Sequence, residues 1–280
     1  MSASIPALTV LGSCRVFEPI KAMEQSGRAE LNQQRVFGYV HNSREILQQL
    51  RLMTGHIPKA GRLRQFLNIP AEWKWLPPEE AGGLGSMFMR TDAFIVEISS
   101  IRLLRFKALY LQLNRTRELL VRDDVIESRW WWPLVREGRN EPLAYILSHA
   151  LTQLSAVERE VMANLVCSEQ TVEDVVKDIK SIQDALPGPA LFVCHFNANV
   201  DGVAIEQRRV IQDALEQART GFGINYWDPT QFVLEAGPQV TMRDGAHYRP
   251  DVIPQVGEYL LDGAMAAKQA WDAEPARSVG

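Results

Sequence analysis

The chain has 280 residues, 46% of them hydrophobic and 23% charged, which is an ordinary composition for a soluble globular protein. This length fits one large α/β domain or two small ones, and we predict a single domain over residues 1–280. The net charge of −4 argues against a general nucleic-acid-binding role. No apolar run approaches the roughly 18 residues that cross a bilayer. Neither nucleic acid nor a membrane is therefore an expected partner.

The N-terminal part has the pattern of two strand–helix units. Ala7–Leu11 is a short apolar run, and a Gly-Ser pair ends it before a predicted helix over Arg15–Gln25, where apolar residues recur at helical spacing. Arg35–Tyr39 is the predicted second strand. An Asn-Ser-Arg-Glu string beginning at Asn42 has the form of a capping box and predicts the start of the second helix.

Three more strands follow along the chain. Ala93–Ile98 (AFIVEI) is almost continuously apolar, as expected for a strand that is covered on both faces. Ala190–Cys194 (ALFVC) and a short strand at Gly223–Tyr226 complete the set, with helices predicted over Ala204–Arg219 and about Ile253–Ala267. Strands that alternate with helices predict an α/β fold with a five-stranded parallel sheet.

Two insertions interrupt this alternation. Residues 55–90, rich in Pro, Gly and Trp, are predicted to be irregular, and residues 103–186 are predicted to be mainly helical. Amphipathic spacing is clearest in Leu143–Leu165 and Val172–Leu186. We expect the helical insertion to shape a substrate pocket. Trp130–Trp132, beside an arginine, are interpreted either as part of that pocket or as core or interface residues.

The cysteines indicate the cellular compartment. Cys14, Cys167 and Cys194 form a sparse, odd set without a C-x-x-C pair. This argues against a disulfide framework and a zinc site, and favours a reducing, cytoplasmic environment. Leu11–Cys14 resembles a lipoprotein cleavage site, but residues 1–10 contain no Lys or Arg, so we interpret the segment as a buried strand and the turn that follows it.

Polar residues follow three of the predicted strands, and ligands of parallel sheets bind beyond the carboxyl ends of the strands. Cys14 follows the first strand, Ser99 and Ser100 follow the third, and His195 and Asn197 follow the fourth. We therefore expect these loops to converge on one crevice.

The string Asp244-Gly-Ala-His247 is the most informative one for chemistry. An Asp three residues before a His can bind one ring nitrogen, fix the tautomer and leave the other nitrogen as a base. The alternative is a solvated turn, since Asp-Gly is a common turn dipeptide. Cys14 lies at a strand-to-helix junction, where backbone N–H groups and the helix dipole favour a thiolate. Its alternative is a small buried apolar residue.

Gly12-Ser13-Cys14 near the N-terminus, with Asp244-x-x-His247 before the last helix, resembles the SGNH (GDSL-type) hydrolases. The resemblance implies a flavodoxin-like, three-layer α/β/α sandwich. It also implies that Cys14 attacks, His247 carries the proton and Asp244 orients His247. The family has Ser where this chain has Cys14, although some members with a G-S-C or G-N-C string, including ones linked to polysaccharide biosynthesis, are similar here. Ser13 is the rival nucleophile, one position early.

The oxyanion donors that the resemblance implies are only partly matched. The family uses the nucleophile's N–H, a glycine after the second strand and an asparagine after the third. This chain offers the N–H of Asn42, which precedes a helix, after the second strand, and Ser99 or Ser100 after the third, with Asn197 in the neighbouring loop. Losing one such donor costs roughly 10²–10³ in rate. The chemistry is therefore expected to differ from ordinary ester hydrolysis unless a substitute donor exists.

Histidines and one arginine complete the candidate set. His195 is interpreted as a substrate contact or oxyanion donor, and His41 is a weaker candidate at a strand end. Arg15 would hold an anionic substrate group or face solvent.

The preferred hypothesis is acyl transfer through a thioester on Cys14, without a required cofactor. The donor would be an acyl-CoA or acyl-carrier thioester, with a carrier protein as a possible partner, and the acceptor a hydroxyl or amine. The alternatives are an esterase or thioesterase that acts on a small acyl ester, and a non-catalytic binding protein on an SGNH scaffold.

Overall fold

The computed structural model describes residues 4–33, 35–56, 61–75, 80, 82–120, 154–198 and 204–273. Its strands, in chain order, are β1 Ala7–Leu11, β2 Glu30–Leu31, β3 Ala93–Ile98, β4 Arg102–Phe106, β5 Leu109–Leu111, β6 Leu165–Glu169, β7 Ala190–Cys194 and β8 Asn225–Trp227. Its helices are α1 Cys14–Gln25, α2 Ser43–Met53, α3 Leu84–Met87, α4 Leu113–Leu120, α5 Ala156–Asn164, α6 Val172–Ala185, α7 Glu206–Phe222, α8 Thr230–Ala236 and α9 Ile253–Ala273. Trp130–Trp132 lie outside the described residues.

Five strands form one parallel sheet in the order β2-β1-β3-β7-β8. Counted along the chain, this is the 2-1-3-4-5 order of flavodoxin-like folds. The predicted α/β fold with a five-stranded parallel sheet is therefore confirmed.

Side chains of the central strands alternate between two apolar layers. Ile95 and Val193 face the layer that contains α1 and α9, whereas Val96 and Phe192 face the layer that contains α2, α6 and α7. Burying each such side chain contributes about 1.5–3 kcal/mol to folding. Burial on both faces explains why β3 and β7 are apolar at nearly every position, and it gives the three-layer α/β/α sandwich.

The second strand differs from the prediction. It is Glu30–Leu31, which pairs with Ala7–Leu8 of β1, and the strand predicted at Arg35–Tyr39 is wrong. Gly38 has φ +59°, a left-handed conformation that no extended strand contains. Its apolar neighbour Phe37 is buried in a loop, with its ring 4.8 Å from that of Trp73.

The insertion over residues 103–186 contains more than helices. The helix predicted at Val172–Leu186 is present as α6, but β4, β5 and β6 form an antiparallel sheet that was not predicted. Of the helix predicted at Leu143–Leu165, residues 143–153 lie outside the described part, α5 covers 156–164, and Leu165 begins β6. Among the helices described, none is both long and apolar enough to cross a membrane.

Candidate active site

A cavity of about 780 Å³ opens at the carboxyl ends of the parallel strands. The structure brings most of the sequence-predicted residues to its wall: Cys14, Arg15, His41, Ser99, Ser100, His195, Asp244 and His247. Asn42 and Asn197 are not among the residues that line it. The convergence of loops that the parallel sheet predicts is thus present, with two asparagines left out.

Cys14 is the first residue of α1 and is half-buried. Ser13 caps the helix, because its hydroxyl oxygen accepts a hydrogen bond from the Arg15 amide at 3.3 Å. Gly12 lets this turn pack directly on β3, since a Cβ there would lie 2.7 Å from Glu97 Cβ and from Val16 Cγ2. The strand, the glycine and the cap together place the thiol at the mouth of the cavity.

Asp244 and His247 form an oriented pair on one turn. Asp244 Oδ1 accepts hydrogen bonds from the amides of Ala246 and His247 at 2.9 and 3.1 Å, while Oδ2 lies 2.6 Å from His247 Nδ1. Burial alone would raise the Asp244 pKa, but these N–H donors lower it, so the carboxylate is ionised. Nδ1–H therefore points to Asp244, and Nε2 remains for other partners.

The Cys14 thiol has the largest effect on the pKa of His247. A hydrogen bond to the thiol raises the pKa of the ring to about 9, with burial opposing the shift and Asp244 reinforcing it. His247 is therefore protonated near neutral pH. The Cys14 thiol and the His247 ring therefore interact at the cavity wall.

The raised pKa of His247 predicts a pH-dependent contribution to stability. Because the folded value of about 9 exceeds the ordinary 6.5, the stabilisation by the protonated ring is fully present below pH 6.5 and is lost as pH rises through 9. We expect the difference in free energy of unfolding between wild type and His247→Gln to be larger at pH 6 than at pH 10. Urea unfolding at both pH values measures this difference, and an equal difference at pH 6 and pH 10 would contradict the raised pKa of His247.

A buried carboxylate, Glu97 on β3, supports the nucleophile turn. Its side chain is 1% exposed and accepts hydrogen bonds from Ser13 N at 2.8 Å, from Ser13 Oγ at 2.5 Å, and from Arg15 Nε at 2.8 Å. Burial would raise its pKa, but Arg15 and Ser13 together hold it below its ordinary value. The Ser13 hydroxyl thus donates its proton to Glu97 and not to a base in the cavity. This favours Cys14 over Ser13 as the candidate nucleophile.

Removing Glu97 is expected to cost about 3–5 kcal/mol of stability, because Glu97→Ala leaves the largely buried Arg15 guanidinium and the Ser13 amide unpaired. The matched control is Glu258→Ala, which breaks an ion pair with Arg28 whose side chains are 40% and 54% exposed. That change is expected to cost about 0–1 kcal/mol. Urea unfolding measures the loss in free energy of unfolding for both variants. Equal losses would show that the buried Glu97–Arg15 pair stabilises the fold no more than the exposed pair does.

Two arginines hold the loop that carries His247. Arg15 Nη1 lies 3.5 Å from the Ala246 carbonyl oxygen, and Arg208 donates to the Gly245 carbonyl at 3.3–3.4 Å. Arg15 therefore connects Glu97, beneath the nucleophile, to the loop that carries the base. A single side chain thus links the turn that carries Cys14 to the loop that carries His247.

The side chains of Asn42 and Asn197 are engaged within their own loops. The Asn42 side chain caps α2, where Oδ1 accepts from the Glu45 amide at 2.9 Å and Nδ2 donates to Glu45 and to the Arg102 carbonyl. Asn197 Nδ2 donates to Gln212, and its Oδ1 accepts from the Ile205 amide. Both side-chain amides thus bind within their loops, while the backbone N–H of Asn42 stays a predicted oxyanion donor.

The two serines after β3 lie at the cavity but have bound amides. The amides of Ser99 and Ser100 donate to the His41 carbonyl at 2.8 and 2.9 Å. The Ser99 hydroxyl also points to that carbonyl, at 3.3 Å, whereas the Ser100 oxygen accepts from the Arg102 amide. The hydroxyl proton of Ser100 is thus the one left to donate to a substrate.

The two buried histidines of the cavity wall are neutral. Burial lowers the pKa of His41, and it lowers that of His195 further. His195 Nδ1 lies 2.8 Å from the Phe196 carbonyl oxygen, so Nδ1 carries the proton and Nε2 is an acceptor. His195 thus has the geometry to receive a hydrogen bond from a substrate, not to donate one to an oxyanion. At His41, Nε2 is approached by Asn114 Nδ2 at 2.6 Å.

A model of the family described as the TviD N-terminal domain matches residues 6–263. The chain belongs to the TviD N-terminal domain family. It is 26% identical, over 219 residues, to the Vi polysaccharide biosynthesis protein TviD of Salmonella typhi. The match covers 76% of this chain and 25% of that protein, so the chain spans about a quarter of its relative's length. No solved structure matches the chain.

In this TviD N-terminal domain, sequence reasoning missed several residues that line the cavity or, like Glu97, lie beneath it. Glu97 carried a signal, because a single carboxylate inside an otherwise apolar strand must have buried partners. Arg208 carried none, since it is one of several arginines and glutamines on the exposed side of a predicted helix. Tyr39 and Arg102 also line the cavity, and others come from the two insertions, namely Asn68, Asn114, Arg115, Arg117 and Glu118. Across the described ranges, no group of three or more His, Cys, Asp or Glu side chains is placed to hold a metal ion.

Proposed function

We propose that this domain transfers an acyl group to a saccharide acceptor through a thioester on Cys14, with His247 as the proton carrier and Asp244 as its orienting carboxylate. The observation that carries this proposal is that Cys14, Asp244 and His247 line one cavity, with His247 Nδ1 bound to Asp244 at 2.6 Å and the Cys14 thiol raising the pKa of the ring. A nucleophile, a base and an orienting group in sequence are what covalent acyl transfer requires.

The fold supports a wider kinship with the SGNH hydrolases as part of the same proposal. The flavodoxin-like strand order, the nucleophile directly after β1 and the Asp-x-x-His string before α9 match the framework of those enzymes. The departure is Cys14 in place of serine. A thioester intermediate reacts readily with a second substrate, which suits transfer better than a plain ester intermediate would.

The first half of the reaction forms the acyl-enzyme. Cys14 Sγ attacks the carbonyl carbon of a thioester donor, such as an acyl-CoA or acyl-carrier thioester, and His247 Nε2 takes the thiol proton. The tetrahedral intermediate then expels the donor thiolate, which receives that proton from His247. The products are a thioester on Cys14 and the free donor thiol.

The second half transfers the acyl group. A saccharide hydroxyl attacks the Cys14 thioester while His247 Nε2 takes the hydroxyl proton. Collapse of this second intermediate breaks the C–S bond, and the proton on His247 returns to, or pairs with, the Cys14 sulfur. Both half-reactions balance without a cofactor, and one base serves both of them.

For the oxyanion we assign the Cys14 amide, which is in the first turn of α1 and so has no carbonyl partner within the helix. The N-terminal dipole of a twelve-residue helix adds favourable charge there. The Ser100 hydroxyl is the second proposed donor, because its oxygen already accepts a hydrogen bond and its proton is free to turn toward the cavity.

The acceptor is proposed from the relative, whose printed name places it in polysaccharide biosynthesis. An open cavity of about 780 Å³ is large enough for a sugar unit together with the reacting end of a donor. Hydrolysis by water is the competing outcome of the same acyl-enzyme.

Product analysis tests the proposal. The domain is incubated with acetyl-CoA, with and without a panel of saccharides, and acylated sugar and free acetate are measured by mass spectrometry. Acylated sugar as the main product is expected. Free acetate at the same rate with and without every sugar would replace transfer by hydrolysis, and neither product would favour a binding protein.

A further inference from the structure

Arg208 of α7 is a half-buried cation in the cavity wall. Its guanidinium donates to the Phe196 carbonyl at 2.9 Å and to the Gly245 carbonyl, and it lies 5.6 Å from the centre of the Phe196 ring. In the described part of the chain, no carboxylate is within ion-pairing distance of it. Carbonyl oxygens and a ring face solvate a guanidinium without neutralising it.

A second cation increases this imbalance. Arg15 lines the same cavity, and burial together with the charge of Arg15 lowers the pKa of Arg208 to about 10. The negative charge of Asp244 raises the pKa of Arg208, but this carboxylate is already bound to His247. Glu97, the partner of Arg15, lies beneath the nucleophile turn and not at the cavity wall.

The remaining charged residues of the wall do not supply the missing anion. Arg102 pairs with Glu169, and Arg115 pairs with Glu118, so Glu118 already has a cation. The positive charge of Arg208 thus remains without a protein counter-ion in the described residues, beside the reacting groups. Buried charges in proteins are generally paired, and an unpaired one in a ligand cavity is suited to a charged ligand.

We propose that Arg208, assisted by Arg15, binds an acidic group of the substrate, a carboxylate or a phosphate, next to His247. Guanidinium groups recognise such oxyanions through pairs of N–H donors. That the bound molecule is an acyl-transfer substrate rests on the proposed function, but the binding itself does not require the reaction. The acidic group would belong either to the donor, as the phosphates of CoA do, or to an acidic sugar acceptor.

Calorimetric binding with two matched pairs of probes tests the proposal and separates the two sources. The first pair is coenzyme A against pantetheine, and the second is glucuronic acid against glucose. Wild type is expected to prefer the acidic member of at least one pair by about tenfold or more. In Arg208→Gln this preference is expected to fall to about one, and in Arg208→Lys to an intermediate value.

The control is Arg209→Gln, which changes the next residue of the same helix. Arg209 is 63% exposed and pairs with Glu206 at 3.8 Å, so its loss is expected to leave the preference unchanged. Far-UV circular dichroism and the alkylation rate of Cys14 check that Arg208→Gln keeps the fold and the nucleophile turn. No acidic preference in either pair, or one that survives in folded Arg208→Gln, would overturn the proposal.

Binding in Cys14→Ala distinguishes this failure from failure of the proposed function. Acidic preference in Cys14→Ala together with no acyl product in wild type would support the anion site while refuting acyl transfer. Acyl product without acidic preference would refute the anion site and leave acyl transfer intact.

Discussion

Cys14→Ala is expected to lower the rate of acyl transfer by about 10⁴-fold or more, because it removes the only atom that forms the covalent intermediate. Cys14→Ser is expected to fall between wild type and the alanine variant. A serine hydroxyl stays protonated near neutral pH and depends wholly on His247 to lose its proton as it attacks. Initial rates with a thioester donor and a saccharide acceptor measure both.

Two variants serve as controls for Cys14. Cys167→Ala changes a half-buried thiol on β6 whose pKa is raised to about 11 by burial, so it is expected to keep wild-type activity. Ser13→Ala is expected to cost about 1 kcal/mol in stability as a lost helix cap but to retain turnover. If Ser13→Ala lost activity and Cys14→Ala kept it, the nucleophile would be Ser13.

Substitutions of His247 and Asp244 are expected to have the second largest effect on the rate of acyl transfer. His247→Ala removes the proton carrier and should slow transfer by about 10²–10⁴-fold. Asp244→Asn should slow it by a similar factor of up to about 10⁴-fold, because an amide in place of Asp244 Oδ2 no longer fixes the proton on Nδ1. The ring then favours the tautomer with Nε2 protonated, which cannot accept the thiol proton.

The two substitutions and Cys14→Ala should act as one unit. The double variant Cys14→Ala with His247→Ala is expected to be no slower than Cys14→Ala alone, since a base without a nucleophile does nothing. Asp251→Asn is a suitable control, because Asp251 is an exposed carboxylate a few residues away that pairs with Arg249. Additive losses in the double variant would mean that His247 acts separately from Cys14.

Sequence reasoning succeeded where a local pattern has one structural outcome. The runs of β1, β3 and β7 are apolar at nearly every position, which is typical of strands that are covered on both faces of a parallel sheet. The cap at Asn42 was read from its side chain and that of Glu45, which do bind each other. The Asp244–His247 contact joins residues only three positions apart on one turn, and it is present as predicted.

It failed where the outcome depended on distant partners. β2 is two residues long, too short for any periodicity, and its predicted position was taken by a loop that Gly38 turns. The side chain of Asn197 was available in sequence but is bound to Gln212 and to the Ile205 amide. Arg208 reaches the cavity only because α7 packs beside the loop of His247, a tertiary contact without a local signature.

Intact-mass analysis with peptide mapping tests the central claim most directly. Wild-type protein is mixed with an acyl thioester in the absence of acceptor, quenched in acid, and digested. An adduct with the mass of the acyl group is predicted on the peptide that contains Cys14, removable by hydroxylamine and absent in Cys14→Ala. An adduct that persists in Cys14→Ala, or acyl-saccharide formation with no adduct on Cys14 at any time point, would contradict the account.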